Sequence, residues 1–310
     1  MLSEPITVSI IITVKNGGID LYTTMESLKV SRTTLSYEVI IVDEGSVDGC
    51  CDFLMGYRFE RPIKRLKGEQ GIPARNVGAA HATGKYLIFC GAHLYYDDYW
   101  MEKLLEPLMT GEADCSSPSF KVREHSVVIP NRDHEVYGLL SSIRNYPLVA
   151  EGKALTWLSW ECFAVHRDKF RDIGGIEDGF IGKEMETAEF SLRIWLLGGF
   201  CAYVPEVSLI QVFRQNFPYD DSMEQWGFDL LILAYLHFSE ALISVCCGQV
   251  YRTFRESEIA KSESEQREAV ELRRQKYAYL RKYDDTWFLS RFGIEFEDDR
   301  DKLGPAGYPN

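Results

Sequence analysis

Two glutamates and an arginine in the second half of the chain are spaced like residues on one face of a helix. Glu186, Glu189 and Arg193 follow one another at intervals of three and four residues within the segment 186–197. A helix there places all three side chains together. Two neighbouring carboxylates can form an acid/base pair that accepts a proton from a hydroxyl group. The same spacing also fits a Glu189–Arg193 surface pair of little energetic value, and the pattern alone leaves both interpretations open.

Paired acids follow an apolar run near the N-terminus. Asp43 and Glu44 end the segment 38–44, directly before Gly45 and Ser46. A carboxylate at the end of a buried strand is costly unless it receives hydrogen bonds, and a ribose hydroxyl or a uracil N–H could donate them. Alternatively, Asp43 caps a helix that begins near Val47.

Arg75 lies in the first turn of the predicted helix 72–81. In an acidic protein an arginine at this position either binds a phosphate group or pairs with Asp43.

A histidine and two aspartates follow the apolar run 86–90, at His93, Asp97 and Asp98. A histidine at the carboxyl end of a strand can bind a divalent metal ion that holds a diphosphate, with carboxylate oxygens as further ligands. The other interpretation is an ordinary histidine followed by an aspartate that caps the next helix.

The elements that must position these residues are strands and helices in alternation. Strand-like runs at 6–14, 38–43, 63–66 and 86–90 are separated by helical segments such as 20–30 and 72–81. This order predicts an α/β fold with a Rossmann-like mixed, mainly parallel sheet flanked by helices. Ligands of such sheets bind at the carboxyl ends of the strands. These ends hold residues 13–16, 43–46 and 91–93, which include Thr13.

The chain becomes helical beyond residue 220, which predicts a first domain over 1–220 and a helical extension with an acidic tail over 221–310. The apolar segment 228–247 contains Asp229, His237 and Glu240, so we expect a buried helix there and no membrane span. The charged segment 255–283 fits a solvated helix or a helix that binds a partner or a second copy of the chain.

Charge and cysteine content limit the partners and the compartment. The net charge of -13 gives no general attraction to nucleic acid or anionic lipid, so a nucleic-acid partner is disfavoured. The N-terminus MLSEPITVSIIITVKNGG has neither a basic segment nor a small-residue cleavage site, which indicates no signal peptide. The eight cysteines lack zinc-ligand spacing and predict free thiols in a reducing, cytoplasmic environment.

Together these segments resemble family-two-type glycosyltransferases with the A-type fold. The matching residues are the opening strand and turn at 8–16, the acids Asp43 and Glu44, the Ala74-Arg75-Asn76 segment with Gly78, Ala82 and Gly84, and the helix residues Glu186, Glu189, Phe190 and Arg193. The resemblance implies a nucleotide-sugar-binding domain in the first 220 residues. It implies nucleotide contacts from Thr13, Asp43, Glu44, Arg75 and Arg193, with Glu186 and Glu189 as catalytic residues.

A closer likeness is to polypeptide N-acetylgalactosaminyltransferases. It lies in Gly91-Ala92-His93, in SLRIWLLGG at 191–199 and in IQVFR at 210–214. This likeness implies a retaining transferase that uses a UDP-sugar and manganese.

Two departures from that family concern the metal ion. Gly91 stands where the family has a metal-binding aspartate, and Gln211 where it has a metal-binding histidine. Manganese or magnesium is therefore expected to bind weakly or not at all, with His93 as the remaining ligand. Three outcomes follow: Asp97 or Asp98 substitutes, transfer proceeds without metal, or the domain binds without turnover.

Two functions of different classes stay open at this stage. The first is a hexosyltransferase-type glycosyltransferase that moves a sugar from a nucleotide-sugar donor to an unidentified acceptor. The second is a non-catalytic binding protein with a degenerate glycosyltransferase fold. A nucleotidyltransferase is disfavoured, because the chain lacks a Gly- and Lys-rich opening loop for a triphosphate.

Overall fold

A ten-stranded sheet forms the centre of the computed structural model, which describes residues 5–122, 149–212, 223–253 and 258–294. The strands in the described part are β1 (Val8–Val14), β2 (Tyr37–Asp43), β3 (Ile63–Lys67), β4 (Tyr86–Cys90), β5 (Leu94–Tyr95), β6 (Cys115–Val122), β7 (Val149–Ala150), β8 (Ala154–Leu155), β9 (Cys162–His166) and β10 (Cys201–Gln211). Their order is β3-β2-β1-β4-β9-β6-β10-β8-β7, and β5 pairs with β10.

The first four strands of the sheet order, β3-β2-β1-β4, are parallel. β9 joins them antiparallel to β4, with Cys162 opposite Cys90. The predicted mixed sheet is therefore confirmed. The amino end of β9 lies at the same edge as the carboxyl ends of the parallel strands, so the residue before β9 reaches the edge where ligands bind.

The helices of the described residues cover both faces of this sheet. They are α1 (Asp20–Val30), α2 (Ala74–Ala80), α3 (Trp100–Met109), α4 (Arg167–Asp172), α5 (Lys183–Leu196), α6 (Met223–His237), α7 (Glu240–Thr253), α8 (Glu258–Leu280) and α9 (Asp285–Phe292). Short 3₁₀ helices occur at Asp52–Met55 and Glu151–Lys153. The predicted helix at 20–30 and the predicted strand at 86–90 form with the predicted bounds.

The alternating side chains of β1 enter two hydrophobic clusters, one on each face of the sheet. Ile10 and Ile12 pack in one cluster with Leu21 of α1 and Leu104 of α3. Ile11 packs in the other, which includes Phe190 of α5, Leu231 of α6 and Ile243 of α7. The helical extension predicted from residue 221 therefore shares its hydrophobic core with the sheet.

The long apolar segment 228–247 forms two helices where a single one was expected. α6 ends at His237 and α7 begins at Glu240, and between them Ser239 N donates to Asp285 Oδ2 at 2.7 Å. None of the helices over the described ranges combines the length and the hydropathy needed to cross a bilayer.

Other predicted elements differ in detail. The segment 201–211 is one long strand, β10, with an irregular register between Val204 and Ser208. The charged helix predicted within 255–283 forms as α8. Residues 213 and 214 of the family-like segment 210–214 and the acidic tail from residue 295 lie outside the described residues.

Candidate functional site

Asp43 is the last residue of β2 and is 7% exposed. Its Oδ1 accepts a hydrogen bond from Ser46 N at 2.8 Å, and its Oδ2 accepts one from Arg65 Nη2 at 2.9 Å. Burial alone would raise the pKa of the Asp43 carboxyl, but the donors Ser46 and Arg65 outweigh it and hold this pKa below its ordinary value. Asp43 is thus a pre-oriented acceptor at the carboxyl edge of the sheet.

Two interpretations of Asp43 are corrected by these contacts. Its cationic partner is Arg65 and not Arg75. The expected helix near Val47 is absent from the described chain, where turns lead to the 3₁₀ helix Asp52–Met55. Thr13 lies beside this position, half-buried, since it pairs in register with Val42 of β2.

A line of alternating charges runs along the same edge. Glu44 Oε2 lies 2.9 Å from Lys183 Nζ, and the same Nζ lies 3.8 Å from Glu186 Oε2. Glu186 Oε1 accepts a hydrogen bond from Arg75 Nη1 at 2.9 Å. Arg75 Nη2 in turn donates to the carbonyl oxygen of Trp160 at 2.6 Å. The predicted residues Glu44, Arg75 and Glu186 therefore belong to one electrostatic unit.

Glu186 lies in the first turn of α5, and two cations compensate its negative charge. Glu186 is 4% exposed and Arg75 is 3% exposed. Arg75 is also held by Thr187, whose Oγ1 accepts from Arg75 Nη1 at 2.8 Å. Thr187 thereby helps to orient the arginine beside Glu186.

Glu189 and Arg193 lie in the interior of the protein, away from this line. Glu189 is fully buried and Arg193 is 1% exposed. Arg193 donates from Nε and Nη2 to the two Glu189 oxygens, each at 2.8 Å, and to the carbonyls of Ile173 and Gly175. His237 Nε2 of α6 lies 2.8 Å from Glu189 Oε1.

These contacts correct the roles expected for Glu189 and Arg193. Burial alone would raise the pKa of Glu189, but Arg193 and His237 lower it below the ordinary value. Both side chains are enclosed and mutually satisfied, which argues against a catalytic role for Glu189 and a nucleotide contact for Arg193. A surface pair is equally wrong, because both residues are buried in the core. The contact of Glu189 with His237 joins α5 to α6 there.

His93 belongs to a second polar cluster beside the carboxyl end of β4. Its Nε2 lies 2.9 Å from Glu161 Oε2. Gln211 Nε2, at the end of β10, donates to Glu161 Oε1 at 2.5 Å and lies 3.3 Å from His93 Nε2. Glu161 directly precedes β9 and is 3% exposed. One imidazole, one carboxylate and one amide therefore meet at this point.

Asp97 and Asp98 do not join His93 in this cluster. Asp98 accepts hydrogen bonds from Arg32 N and Nε at 2.8 and 2.7 Å, and Arg32 lowers the pKa of Asp98. Asp97 is exposed. Over the described ranges, no set of three or more His, Cys, Asp and Glu residues is grouped so that it could hold a metal ion. The position of Asp97 and the pairing of Asp98 with Arg32 disfavour the alternative in which either aspartate replaces the missing metal ligand.

Three residues of the site were missed from the sequence: Glu161, Lys183 and Asp229. Asp229 is fully buried in α6 and accepts from Ile181 N at 3.1 Å and from Gly182 N at 2.7 Å. It thereby fixes the chain just before α5. Burial raises the pKa of Asp229 to about 6, and the nearby charge of Glu186 also raises it. The hydrogen bonds from the two backbone N–H groups lower this pKa, but by less than burial raises it.

Two of these residues carry a signal in the sequence. Glu161 is an acid beside the buried run 162–165, the same pattern that identified Asp43. Asp229 stands alone in an apolar helix, where a carboxylate needs hydrogen-bond donors from elsewhere in the chain.

The sheet order and the polar carboxyl edge define the A-type nucleotide-sugar transferase fold. The sequence pattern of Glycosyl transferase family 2 matches residues 9–174, which is more than half of the chain. The chain therefore belongs to this family.

One relative and two solved structures illustrate the similarity. Polypeptide N-acetylgalactosaminyltransferase 11 of Xenopus tropicalis is 29% identical over 205 residues, which cover 60% of this chain and 34% of that protein. GalNAc-T7, solved with UDP, GalNAc and Mn²⁺, superposes with a TM-score of 0.63 at 18% identity over 94% of this chain and 57% of that one. S. aureus TarS 1–349, solved with UDP-GlcNAc, superposes with a TM-score of 0.56 at 16% identity over 88% and 79%.

The matched region is a smaller share of the Xenopus tropicalis relative than of either solved structure. The chain spans only about a third of the length of the Xenopus tropicalis relative. At identities below 20%, the two solved structures establish the fold alone.

Proposed function

We propose that this chain transfers a sugar from a UDP-sugar to an acceptor, with Glu186 at the reaction centre. The observation that carries the proposal is the position of Glu186 between Arg75 and Lys183, beside the carboxyl edge of the parallel strands. Ligands of open α/β sheets bind at this edge. The uridine nucleotides bound in the two structural neighbours support a UDP-linked donor.

The uridine would bind across Thr13, Asp43 and Glu44. Asp43 is already oriented by Ser46 and Arg65, so it loses little conformational freedom when it accepts a further hydrogen bond from a ribose hydroxyl or uracil N–H. Glu44 is held by Lys183. Arg75 acts through Glu186 in this arrangement, since its guanidinium is buried against Glu186, Thr187 and Trp160 O.

Glu186 would act by its charge in a retaining transfer. A carboxylate in a nearly water-free position stabilises positive charge that develops on the sugar ring, because the low local dielectric strengthens the interaction. In an inverting transfer the same carboxylate would instead take the proton of the acceptor hydroxyl. The retaining version is favoured by the resemblance to polypeptide N-acetylgalactosaminyltransferases.

Manganese or magnesium would bind near His93 and neutralise the charge on the diphosphate leaving group. The structural neighbours solved with Mn²⁺ include GalNAc-T7 and a mannosyltransferase from Pyrobaculum calidifontis. The polar cluster of His93, Glu161 and Gln211 offers a carboxylate oxygen, the donor type that a hard divalent ion prefers, together with an imidazole nitrogen.

A thermal-shift panel of nucleotides tests the proposal. UDP and UDP-sugars, each with and without Mn²⁺, are expected to raise the melting temperature, because binding to the native state stabilises it by about 2.7 kcal/mol at a hundredfold excess over Kd. GDP, CDP and ADP at equal concentration are the matched controls. Equal shifts with all nucleotides, or none with any, would contradict a uridine-specific donor site.

A further inference from the structure

Glu161 presents a buried carboxylate oxygen that lacks a hydrogen-bond donor. The residue is 3% exposed. Its Oε1 accepts from Gln211, but its Oε2 receives no hydrogen bond within the described chain. His93 Nε2 lies 2.9 Å from that oxygen, in an orientation that does not form a hydrogen bond. A buried carboxylate oxygen without a hydrogen bond is costly, and a cation bound by both Oε2 and the imidazole would compensate its charge.

The absence of a side chain at Gly91 makes room for this carboxylate. A Cβ atom on Gly91 would lie 2.6 Å from Glu161 Oε2 and 3.1 Å from His93 Cε1. The backbone joins the same two positions, since Gly91 N donates to Glu161 O at 2.8 Å. The Glu161 carboxylate therefore occupies the space into which a side chain at position 91 would extend.

The distance between His93 Nε2 and Glu161 Oε2 suits two adjacent ligands of one metal ion. Neighbouring ligands of an octahedral ion with bonds of about 2.1 Å are separated by roughly 3.0 Å. The observed separation is 2.9 Å. Mg²⁺-type ions are commonly held by one or two protein carboxylates together with substrate phosphates, so two protein ligands suffice when a diphosphate supplies others.

Gln211 orients the carboxylate for this purpose. Its Nε2 binds Oε1 at 2.5 Å and leaves Oε2 directed toward the imidazole. The competing explanation is a simple ion pair between Glu161 and a protonated His93, and it differs from a metal site in a measurable way.

We propose that Glu161 and His93 are the protein ligands of a divalent cation, Mn²⁺ or Mg²⁺, and that Glu161 supplies the carboxylate which position 91 lacks. Gln211 is a positioning residue that fixes the Glu161 carboxylate. The proposal rests on the proposed function in that the cation lies beside the donor diphosphate, but cation binding is measured independently of transfer and of UDP binding.

The test is direct titration of the protein with Mn²⁺, followed by the loss of the electron paramagnetic resonance signal of the free ion. It is performed without nucleotide and with UDP, on the wild-type chain, Glu161→Gln, His93→Gln, and the double variant Gly91→Asp with Glu161→Gly. The double variant returns the carboxylate to position 91 and removes the group that would clash with it. Asp98→Asn, which alters the carboxylate bound by Arg32, is the matched control.

We expect one Mn²⁺ per chain in the wild type, and affinity at least about tenfold weaker in Glu161→Gln and in His93→Gln. The double variant is expected to recover affinity to within a few-fold, and Asp98→Asn to leave it unchanged. Melting curves identify any variant that does not fold, and the comparison then uses the remaining folded variants.

Equal Mn²⁺ affinity in the wild type and either ligand variant would overturn the proposal in favour of a simple ion pair. Absence of Mn²⁺ uptake by the wild type, both alone and with UDP, would overturn it as well. Calorimetry with UDP alone separates this failure from that of the proposed function, which fails if UDP itself does not bind.

Discussion

Asp229 should make the stability of the protein depend on pH in a direction that is unusual for an aspartate. The carboxyl is fully buried, and burial raises its pKa from 3.8 to about 6. The folded protein therefore binds the proton more tightly than the unfolded chain does. The group stabilises the folded state most fully at low pH, and that contribution is lost as pH rises from about 4 through 6.

The size of the effect follows from the difference between the two pKa values. A rise of about two pKa units corresponds to about 3 kcal/mol, at 1.36 kcal/mol per unit. About 2 kcal/mol of this falls between pH 4.5 and pH 7.5. Asp229→Asn removes the titrating carboxyl. Any other effect of the substitution on stability is expected to stay constant over the pH range in which Asp229 titrates.

The assay is urea denaturation of the wild type and of Asp229→Asn across this pH range, followed by tryptophan fluorescence. The difference in unfolding free energy, wild type minus variant, should fall by about 2 kcal/mol as pH rises. A difference that stays constant, or that increases with pH, would refute the assignment of a raised pKa to Asp229.

Three further substitutions separate the residues of the proposed donor site from those of the core. Asp43→Ala should weaken UDP binding by about 1–3 kcal/mol, and unchanged calorimetric affinity would remove Asp43 from the site. Glu186→Gln should lower kcat by roughly two orders of magnitude with nucleotide affinity nearly intact, whereas near-normal turnover would exclude it from the mechanism. Glu189→Gln should cost about 3–5 kcal/mol of unfolding free energy, because it leaves Arg193 buried without its anionic partner. Its turnover per folded molecule should be normal, and a stable variant with reduced kcat would restore the catalytic interpretation.

The parallel part of the sheet was predictable because its strands are continuous apolar runs that end in turn residues. The runs at 6–14, 38–43 and 86–90 correspond to β1, β2 and β4 within one or two residues. The prediction of a single helix over 228–247 failed, because the hydropathy of this segment does not mark the break between two helices at Ser239. That break depends on Asp285, 46 residues away.

The candidate site was predictable only for residues whose place in the sequence already indicates a functional role. Glu44, Arg75 and Glu186 were predicted as site residues, and they form one charged line at the carboxyl edge of the sheet. Helical spacing placed Glu189 on the face of Glu186, but spacing does not reveal that α6 covers it with His237.

Glu161 was not predicted, because it precedes a strand, whereas site residues in parallel sheets follow the carboxyl ends of strands. β9 is antiparallel to β4 and brings its amino end to the same edge. The pairing of a glycine at 91 with an acid at 161 is a relation across 70 positions, which becomes visible only when the two strands are placed side by side.

Turnover of a UDP-sugar by this chain would release UDP, which can be measured directly. Wild type and Glu186→Gln are each incubated with a panel of UDP-sugars and Mn²⁺, with and without candidate acceptors, and UDP is measured by a coupled luminescence assay. We expect at least one UDP-sugar to yield UDP with the wild type, and Glu186→Gln to release it roughly a hundredfold more slowly. Binding of UDP-sugars without release of UDP from any of them would rule out the proposed transfer and identify a non-catalytic binding protein.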